Sequence, residues 1–392
     1  MKWVDGKNRL PIMSWCENVE SSAMEQAINL SNHPAVFHHV ALMPDCHTGY
    51  GMPIGGVIAC DGAVIPNAVG LDISCGMMAA KTNLSFDDLN LETLPKIVAS
   101  IKRDIPVGFA HHRDGQPWDG FDRAPNIPVV QQELASARRQ LGTLGGGNHF
   151  IEIQAGDDGR TWLMLHSGSR NFGYKIAKEY NAIATKLCGM WKSNIPPVRG
   201  EDGLAFLPIG TEEAQEYIAA MQYAMEFAQE NREQMMRCVV REFNYYTGAE
   251  VVEAININHN FAALEHHFGR NVWVHRKGAT QARSGQLGII PGSMGTASYI
   301  VRGLGDRDSF ESCSHGAGRA TGRSAFSRTH TVEECDAEMA GIVFGGWGKG
   351  RDGNPDLSEA PSAYKDIEDV ISSESDLIEV VVKLRPLAVV KG

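Results

Sequence analysis

Short apolar segments alternate with runs of glycine and polar residues along most of this chain. Apolar, β-branched or aromatic residues dominate Ala35–Met43, Trp162–Leu165, Val251–Ile257 and Val272–Val274. Runs rich in Gly together with His, Asp, Cys, Ser or Arg cover Pro44–Gly56, Gly70–Gly76, Gly142–His149, His166–Gly173, Pro291–Ser298 and Ser312–Gly322. The pattern predicts strands that end in polar, glycine-permitted loops, where active sites commonly lie.

Helical periodicity dominates the middle of the chain. Thr211–Phe243 has apolar residues at helical spacing, acidic residues near its start and basic ones near its end, which predicts one long helix or a helix pair. Its methionines (Met221, Met225, Met235, Met236) are predicted to fill the core. Further helices are predicted at Glu333–Val343 and Ser362–Ile371, and a final strand at Ile378–Val390. Since no repeat or linker divides the sequence, we expect one α+β (mixed α/β) domain over residues 1–392.

Composition narrows the class of protein. Of 392 residues, 43% are hydrophobic and 21% are charged, as in a globular protein, and the net charge of −11 argues against a general nucleic-acid-binding protein. The eight cysteines form no CxxC pair, and no secretory leader precedes them, so we expect reduced thiols in the cytoplasm. No stretch of about 18 uncharged apolar residues predicts a membrane span.

Five residues in the polar runs are candidate metal ligands: Asp72, Cys75, His149, His166 and His259. Mixed oxygen, nitrogen and sulfur donors suit Mn²⁺, Fe²⁺, Co²⁺ or Zn²⁺, and five donors exceed the need of a four-coordinate structural zinc. A thiolate shared by two ions would suit phosphoryl chemistry. Taken singly, such a histidine is more often an ordinary polar residue than a ligand, and such a cysteine is more often buried and inert. Spacing alone does not show that the five meet.

His315 is the candidate nucleophile. It lies in Ser312-Cys-Ser-His-Gly-Ala-Gly-Arg319, with Arg323 four residues beyond Arg319. A neutral imidazole can attack phosphorus, and guanidinium groups can hold phosphate oxygens. The alternative is a histidine that caps a turn. Pro291–Ser298 offers backbone N–H groups to an anion but is not a Walker A motif.

The segment Arg270–His330 is locally basic, with nine Lys and Arg residues against three Asp and Glu residues, a balance of +6. A polyanion held in one cleft and a solvated surface explain this equally well.

These segments together resemble the RtcB family of RNA-splicing ligases. The resemblance runs from Pro44 to Gly392 and includes the blocks Gly70–Met77, Gly142–Phe150, His166–Arg170, His275–Ala279, Ile290–Tyr299 and Ser314–Arg319. It implies a compact domain with central β-sheets, surrounding helices and a deep polar active-site cleft. It also implies GTP and two Mn²⁺ ions as cofactors. The implied reaction joins an RNA 2′,3′-cyclic phosphate or 3′-phosphate to a 5′-hydroxyl, with His315 carrying GMP, and serves tRNA splicing or RNA repair.

The same resemblance implies roles for individual residues. Cys75 would bridge the two ions, with Asp72 and His149 on one ion and His166 and His259 on the other. Residues expected to contact the guanylate are Asn148, Glu152, Ser293, Ser298, His315, Ala317, Gly318, Tyr364 and Lys391. Arg319 and Arg323 match positions suited to RNA or triphosphate oxygens. The family also suggests a protein partner, the small activator archease.

Two other classes of protein fit parts of the pattern. A dinuclear metallophosphatase or nuclease would use the same Asp, Cys and His donors without a nucleophilic His315. A non-catalytic RNA- or metal-binding protein would need no reachable imidazole beside an anion-binding loop. Covalent retention of GMP would separate a ligase from both.

Overall fold

The computed structural model describes residues 1–196, 203–348 and 354–392. Its strands are β1 (Trp3–Asp5), β2 (Ile12–Ser14), β3 (Val36–His47), β4 (Ile54–Cys60), β5 (Ala63–Val64), β6 (Gly76–Ser85), β7 (Phe150–Gly156), β8 (Arg160–Ser167), β9 (Leu207–Pro208), β10 (Val251–Asn258), β11 (Asn260–His267), β12 (Arg270–Lys277), β13 (Ala279–Gln281), β14 (Leu287–Ile290), β15 (Ser298–Gly303), β16 (Ser312–Ser314), β17 (Val343–Phe344) and β18 (Ile378–Lys391). Its α-helices are α1 (Ser21–Ser31), α2 (Pro66–Val69), α3 (Leu94–Asp104), α4 (Pro128–Gln140), α5 (Arg170–Trp191), α6 (Glu212–Thr247), α7 (Arg323–Thr329), α8 (Val332–Glu338) and α9 (Ile367–Ser373).

Two large sheets form the frame of the molecule. One has six strands in the order β1-β2-β3-β4-β12-β11. The other has eight strands: seven follow the order β10-β6-β8-β7-β18-β15-β14, and β17 pairs with β18. The predicted mixed α/β fold is therefore confirmed.

Helix α6 packs its apolar face against α4 and α5 along one half and against the eight-stranded sheet along the other. Met221, Met235 and Met236 are buried there, and Met225 packs at the border of the same core, as predicted. Thr211 caps the helix by accepting a hydrogen bond from the backbone N–H of Ala214, and Gly248 ends it in a left-handed conformation. The long helix predicted from periodicity is a single continuous helix.

The predicted strands and the C-terminal strand are present, but two shorter helices have different bounds. The helix predicted at Glu333–Val343 ends at Glu338, because Gly341 has φ of 84° and the chain then forms β17 beside β18. The helix predicted at Ser362–Ile371 begins only at Ile367, where Asp366 caps it, and a 3₁₀ turn at Pro361–Ala363 precedes it.

The described helices include none that is long and apolar enough to cross a membrane. All eight cysteines are free thiols.

Candidate active site

Four neighbouring strands of the eight-stranded sheet bring the candidate metal ligands to one edge. Strands β10, β6, β8 and β7 are antiparallel neighbours, so the starts of β6 and β7 lie beside the ends of β8 and β10. Cys75 immediately precedes β6, His149 precedes β7, His166 lies near the end of β8 and His259 follows β10. Residues distant in sequence therefore meet because of strand register.

Distances within this cluster are short. The Cys75 Sγ atom lies 3.4 Å from His149 Nε2 and 3.1 Å from His166 Nε2. His166 Nε2 lies 3.2 Å from His259 Nε2, and His149 Nε2 lies 3.3 Å from the Asp72 Oδ2 atom. All five candidate ligands predicted from the sequence therefore adjoin one another, and we call them the Cys–His cluster.

The hydrogen bonds of the rings fix which nitrogen atoms face the cluster. His149 Nδ1 donates to the Leu144 carbonyl at 2.9 Å, and His166 Nδ1 donates to the Asn148 carbonyl at 3.1 Å. Because a carbonyl only accepts, both rings carry a proton on Nδ1 and turn Nε2 toward the cluster. Burial, together with neighbouring histidines, holds the pKa of His166 and His259 well below the usual range, so these rings are neutral.

The cluster has the properties of a cation site. Lone pairs of ring nitrogens face one another and a thiol across about 3 Å, an arrangement that a positive ion would stabilise. The buried Asp72 Oδ1 and His259 Nδ1 atoms have no hydrogen-bond partner within the described residues. Burial and the nearby Asp72 raise the pKa of Cys75, and a bound cation would favour the thiolate.

Helix α6 supports the cluster from behind with buried polar side chains. The Arg232 guanidinium donates to the carbonyls of Ser74 and Ser167, at 3.0 and 3.1 Å, and to the side-chain oxygens of Asn256 and Asn258, at 2.7 and 2.5 Å. One side chain thus ties the loop before β6 to the ends of β8 and β10. Arg232 is fully buried, and desolvation lowers its pKa to about 10.

His315 lies beside the cluster. Its ring centroid is 4.9 Å from that of His259, and its side chain retains 15% exposure. Asp45, in β3, accepts from His315 Nδ1 at 2.5 Å and from the His315 backbone N–H at 3.1 Å. Although burial opposes ionisation of Asp45, His315 lowers its pKa. The carboxylate therefore keeps the proton on Nδ1 and leaves the Nε2 lone pair free to react.

A glycine allows the His315 loop to lie close to β3. Gly318 has φ of 72°, and a Cβ atom there would lie 2.3 Å from the Asp45 carbonyl oxygen. Any larger residue would push the loop away from Asp45.

A cleft of about 250 Å³ opens next to His315. Of the residues predicted to contact the guanylate, those that line it are Asn148, Ser293, His315, Ala317, Gly318, Tyr364 and Lys391, and Arg319 and Arg323 line it as well. Glu152 and Ser298 are buried and do not line the cleft. Gln154 bridges them, donating to Glu152 at 2.6 Å and to Ser298 Oγ at 3.3 Å. Burial raises the pKa of Glu152 to about 8.

One buried carboxylate organises the cations of the cleft. Glu359 contacts Arg323 at 2.9 Å, Lys391 at 3.1 Å and Arg319 at 3.4 Å, and it accepts a hydrogen bond from the Tyr364 hydroxyl. Burial opposes its ionisation, but Lys391 and Arg323 lower its pKa to about 2. Three cations around one anion leave a local balance of +2, which suits a phosphate ligand.

Most of the basic segment Arg270–His330 does not face this cleft. Arg276 is buried and contacts Glu265 at 2.6 Å, while Arg270, Arg283 and Arg302 pair with Asp61, Glu311 and Glu379 on the surface. Of the nine basic side chains, only Arg319 and Arg323 line the cleft. The sequence balance of +6 therefore reflects dispersed ion pairs more than one anion-binding surface.

Sequence reasoning did not assign three of these residues to the site. Asp45 belongs to a polar run that was recognised, yet its partner lies 270 residues away. Arg232 lies in the predicted long helix, where the pattern shows no reason for a buried charge. Glu359 carries no motif.

Fold and site together define a mixed α/β protein with a Cys–His cluster, a histidine held by a carboxylate and a cationic cleft, a combination that suits phosphoryl-transfer chemistry. A family model described as tRNA-splicing ligase RtcB matches residues 26–124 and 118–392. The chain is 39% identical to the RNA-splicing ligase RtcB of Escherichia coli K12 over 97% of both chains. It is 33% identical to the tRNA-splicing ligase RtcB of Pyrobaculum aerophilum over 98% of this chain and 95% of that protein. The chain therefore belongs to the RtcB family of RNA ligases.

Proposed function

We propose that the protein is a GTP- and Mn²⁺-dependent RNA ligase that joins 2′,3′-cyclic phosphate or 3′-phosphate ends to 5′-hydroxyl ends. The observation that carries this proposal is His315, with Nδ1 held by Asp45 and its ring 4.9 Å from His259 of the Cys–His cluster. The names of its relatives, RNA-splicing and tRNA-splicing ligases, support RNA as the substrate.

Asp72, Cys75, His149, His166 and His259 would hold two Mn²⁺ ions. Bound there, the ions would neutralise negative charge that develops on phosphate oxygens. Cys75 lies between His149 and His166, which suits a thiolate shared by two ions. Zn²⁺ or Co²⁺ would fit the same donors, and the preference for Mn²⁺ is part of the proposal.

His315 performs the first covalent step. Its Nε2 atom attacks the α-phosphorus of GTP, an N–P bond forms, the α–β phosphoanhydride bond breaks and pyrophosphate leaves. Asp45 accepts a hydrogen bond from Nδ1 throughout and stabilises the positive charge that develops on the ring. Asn148, Ser293, Ala317, Gly318, Tyr364 and Lys391 would enclose the guanylate. Glu152 and Ser298 lie behind the residues that line the cleft, and they would contact the guanylate only after Gln154 moves.

Two transfers complete the reaction. An oxygen of the RNA 3′-phosphate attacks the GMP phosphorus, and the N–P bond to His315 breaks. The RNA 5′-hydroxyl then attacks the 3′-phosphate, loses its proton and displaces GMP, which leaves a phosphodiester bond. Water opens a cyclic phosphate beforehand. Arg319 and Arg323, held by Glu359, would bind the phosphate oxygens.

We place this activity in tRNA splicing or RNA repair in the cytoplasm, with archease as a candidate activating partner. The donors of the Cys–His cluster would equally serve a dinuclear metallophosphatase or nuclease, which would not need the carboxylate-held His315.

Ligation of two RNA strands tests the proposal. The purified protein is incubated with a 2′,3′-cyclic phosphate RNA and a 5′-hydroxyl RNA, with GTP and Mn²⁺ each supplied or omitted. We expect joined RNA only when both are present, and none with His315→Ala or Cys75→Ala. His266→Ala, which changes an exposed histidine on β11, should ligate like wild type. Release of phosphate from RNA without any joined product would favour the hydrolase.

A further inference from the structure

The most exposed large apolar side chain in the described part of the chain is Phe109. Its side chain is 100% exposed. It lies in the segment Val107–Arg113, which we call the 107–113 loop, between α3 and α4. A phenylalanine ring fully in water is unfavourable, and such residues commonly mark binding surfaces.

Hydrogen bonds hold the 107–113 loop in place. The Gly108 backbone N–H donates to the Gly145 carbonyl at 2.8 Å, and the Leu144 N–H donates to the Pro106 carbonyl at 3.0 Å. Further along, the His112 N–H donates to the Arg139 carbonyl at 3.0 Å. The loop therefore presents Phe109 from an ordered backbone.

The loop adjoins the Cys–His cluster through Arg170. The Arg170 guanidinium donates to the Gly108 carbonyl at 3.0 Å. At Gly145, a Cβ atom would lie 2.1 Å from Arg170 Nη1 and 2.5 Å from His149 Nδ1, so the guanidinium and the His149 ring flank the same glycine. Phe109 thus follows Gly108, whose carbonyl accepts from Arg170, and Arg170 adjoins the His149 ring at Gly145.

The glycine turn Gly145–Gly147 separates the 107–113 loop from the cleft. Gly108 contacts Gly145 and Gly146, whereas Arg323, which lines the cleft, approaches Gly147; the C-terminal Gly392 also contacts Gly145 and Gly146. If a guanylate fills the cleft, the RNA end must reach His315 and the cluster from elsewhere. Phe109 lies in the loop whose Gly108 contacts Gly145, the glycine that the His149 ring also adjoins.

Cations without acidic partners surround the loop. Arg113 and Arg139 are exposed and form no ion pair within 4.0 Å in the described residues. Partial burial lowers the pKa of His111, and the nearby Arg170 and Arg139 lower it further. His111 is therefore a neutral hydrogen-bonding group, and the two unpaired arginines are the cations of the loop. In a chain of net charge −11, such arginines beside a phosphoryl-transfer site favour a polyanion over an apolar protein partner.

We propose that the 107–113 loop binds the RNA end beside the Cys–His cluster, with Phe109 stacked on a base and His111, Arg113 and Arg139 on backbone phosphates. Proteins hold single-stranded RNA by this combination of aromatic stacking and basic side chains. Because every base has a π face, the contact tolerates any base. The inference rests on the proposed function, since it takes RNA as the ligand.

Binding of a short 3′-phosphate RNA, measured by fluorescence anisotropy, tests the role of Phe109. We expect Phe109→Ala and Phe109→Leu to raise Kd about five- to tenfold, and Phe109→Tyr to stay within about twofold of wild type. Trp191→Ala is the matched control, because this exposed aromatic lies at the far end of α5 from Arg170, roughly 30 Å away. An unchanged Kd in Phe109→Ala would overturn the inference.

Salt dependence tests the cations. Loss of one phosphate contact in Arg139→Gln should reduce the slope of log Kd against log salt by about 0.7. Arg302→Gln, which removes an exposed arginine paired with Glu379, should leave the slope unchanged. An unchanged slope in Arg139→Gln would show that Arg139 does not contact a phosphate of the RNA.

Transfer of GMP from GTP to the protein, which needs no RNA, separates this inference from the proposed function. All Phe109 variants should retain GMP like wild type. If the wild-type protein retains no GMP but binds RNA through Phe109, the ligase proposal fails and the RNA-binding role of the 107–113 loop stands. If wild type retains GMP and Phe109→Ala binds RNA normally, only the surface is wrong.

Discussion

At the scale of single residues, the proposed chemistry depends on the pair of His315 and Asp45. A histidine can attack through either ring nitrogen, and Asp45 occupies Nδ1 at 2.5 Å. The ring is partly buried, so the carboxylate, not water, fixes its orientation and tautomer. The sequence indicated His315 as a candidate nucleophile from its small neighbours and nearby arginines. It could not indicate the carboxylate, because that contact joins β3 to the loop after β16, 270 residues away.

Asp45→Asn tests this pairing. The amide has no negative charge to stabilise the ring as it attacks, and it does not enforce the Nδ1–H tautomer. We expect transfer of GMP from GTP to the protein to slow by about 10²- to 10⁴-fold, with little change in the KM for GTP. The measurement is single-turnover labelling, with Asp61→Asn, a surface residue paired with Arg270, as control. Labelling at the wild-type rate would show that Asp45 does not position His315.

At the scale of elements, the register of four antiparallel strands brings the Cys–His cluster together, and α6 supports it. The apolar pattern predicted two of these strands, β8 and β10, and the long helix correctly, because periodicity reports which face of an element is buried. It did not predict strand order, and without strand order the five ligands stayed separate candidates. The two misplaced helix bounds have a similar cause: Gly341 and the cap at Asp366 end or begin helices where the apolar pattern continues.

The basic segment shows the same limit. Its excess charge was visible in the sequence, but the partners of Arg276, Arg270 and Arg302 lie on other strands or loops. A cation that is neutralised one-to-one by an acidic partner away from the cleft adds no net charge to a binding surface. By contrast, no sequence motif marks Phe109 and its neighbouring cations, and only their exposure in the structure identifies them.

Arg232→Met tests the support that α6 gives to the cluster. Methionine keeps most of the apolar stem but none of the four hydrogen bonds that hold the loop before β6 and the ends of β8 and β10. We expect Mn²⁺ affinity, measured by calorimetry, to fall by at least tenfold. In Arg232→Lys, which keeps the charge, the Mn²⁺ affinity should fall less. This variant is the one to measure if Arg232→Met is unstable.

The matched control for this substitution lies on the same helix. Arg237 is 60% exposed and pairs with Glu230, so Arg237→Met should bind Mn²⁺ like wild type. Equal Mn²⁺ affinity in Arg232→Met and Arg237→Met would contradict the supporting role of α6.

At the scale of the whole molecule, two sheets contribute opposite sides of one site. The eight-stranded sheet supplies the Cys–His cluster, and the six-stranded sheet supplies Asp45, which holds His315. The cleft cations Arg319, Arg323 and Lys391 come from the loop before α7, the start of α7 and the end of β18, and all three contact Glu359. The resemblance to the RtcB family implied central β-sheets and a deep polar cleft. The extent of the domain over residues 1–392 stays a prediction.

Covalent labelling by GTP tests the central claim most directly. The protein is incubated with Mn²⁺ and GTP labelled at the α-phosphorus, and the modified residue is identified by peptide mass spectrometry. We predict one GMP per chain on His315 through an acid-labile N–P bond, absent from His315→Ala and retained in His266→Ala. No retained label, or GMP attached to another residue, would contradict the assignment of His315 as the nucleophile.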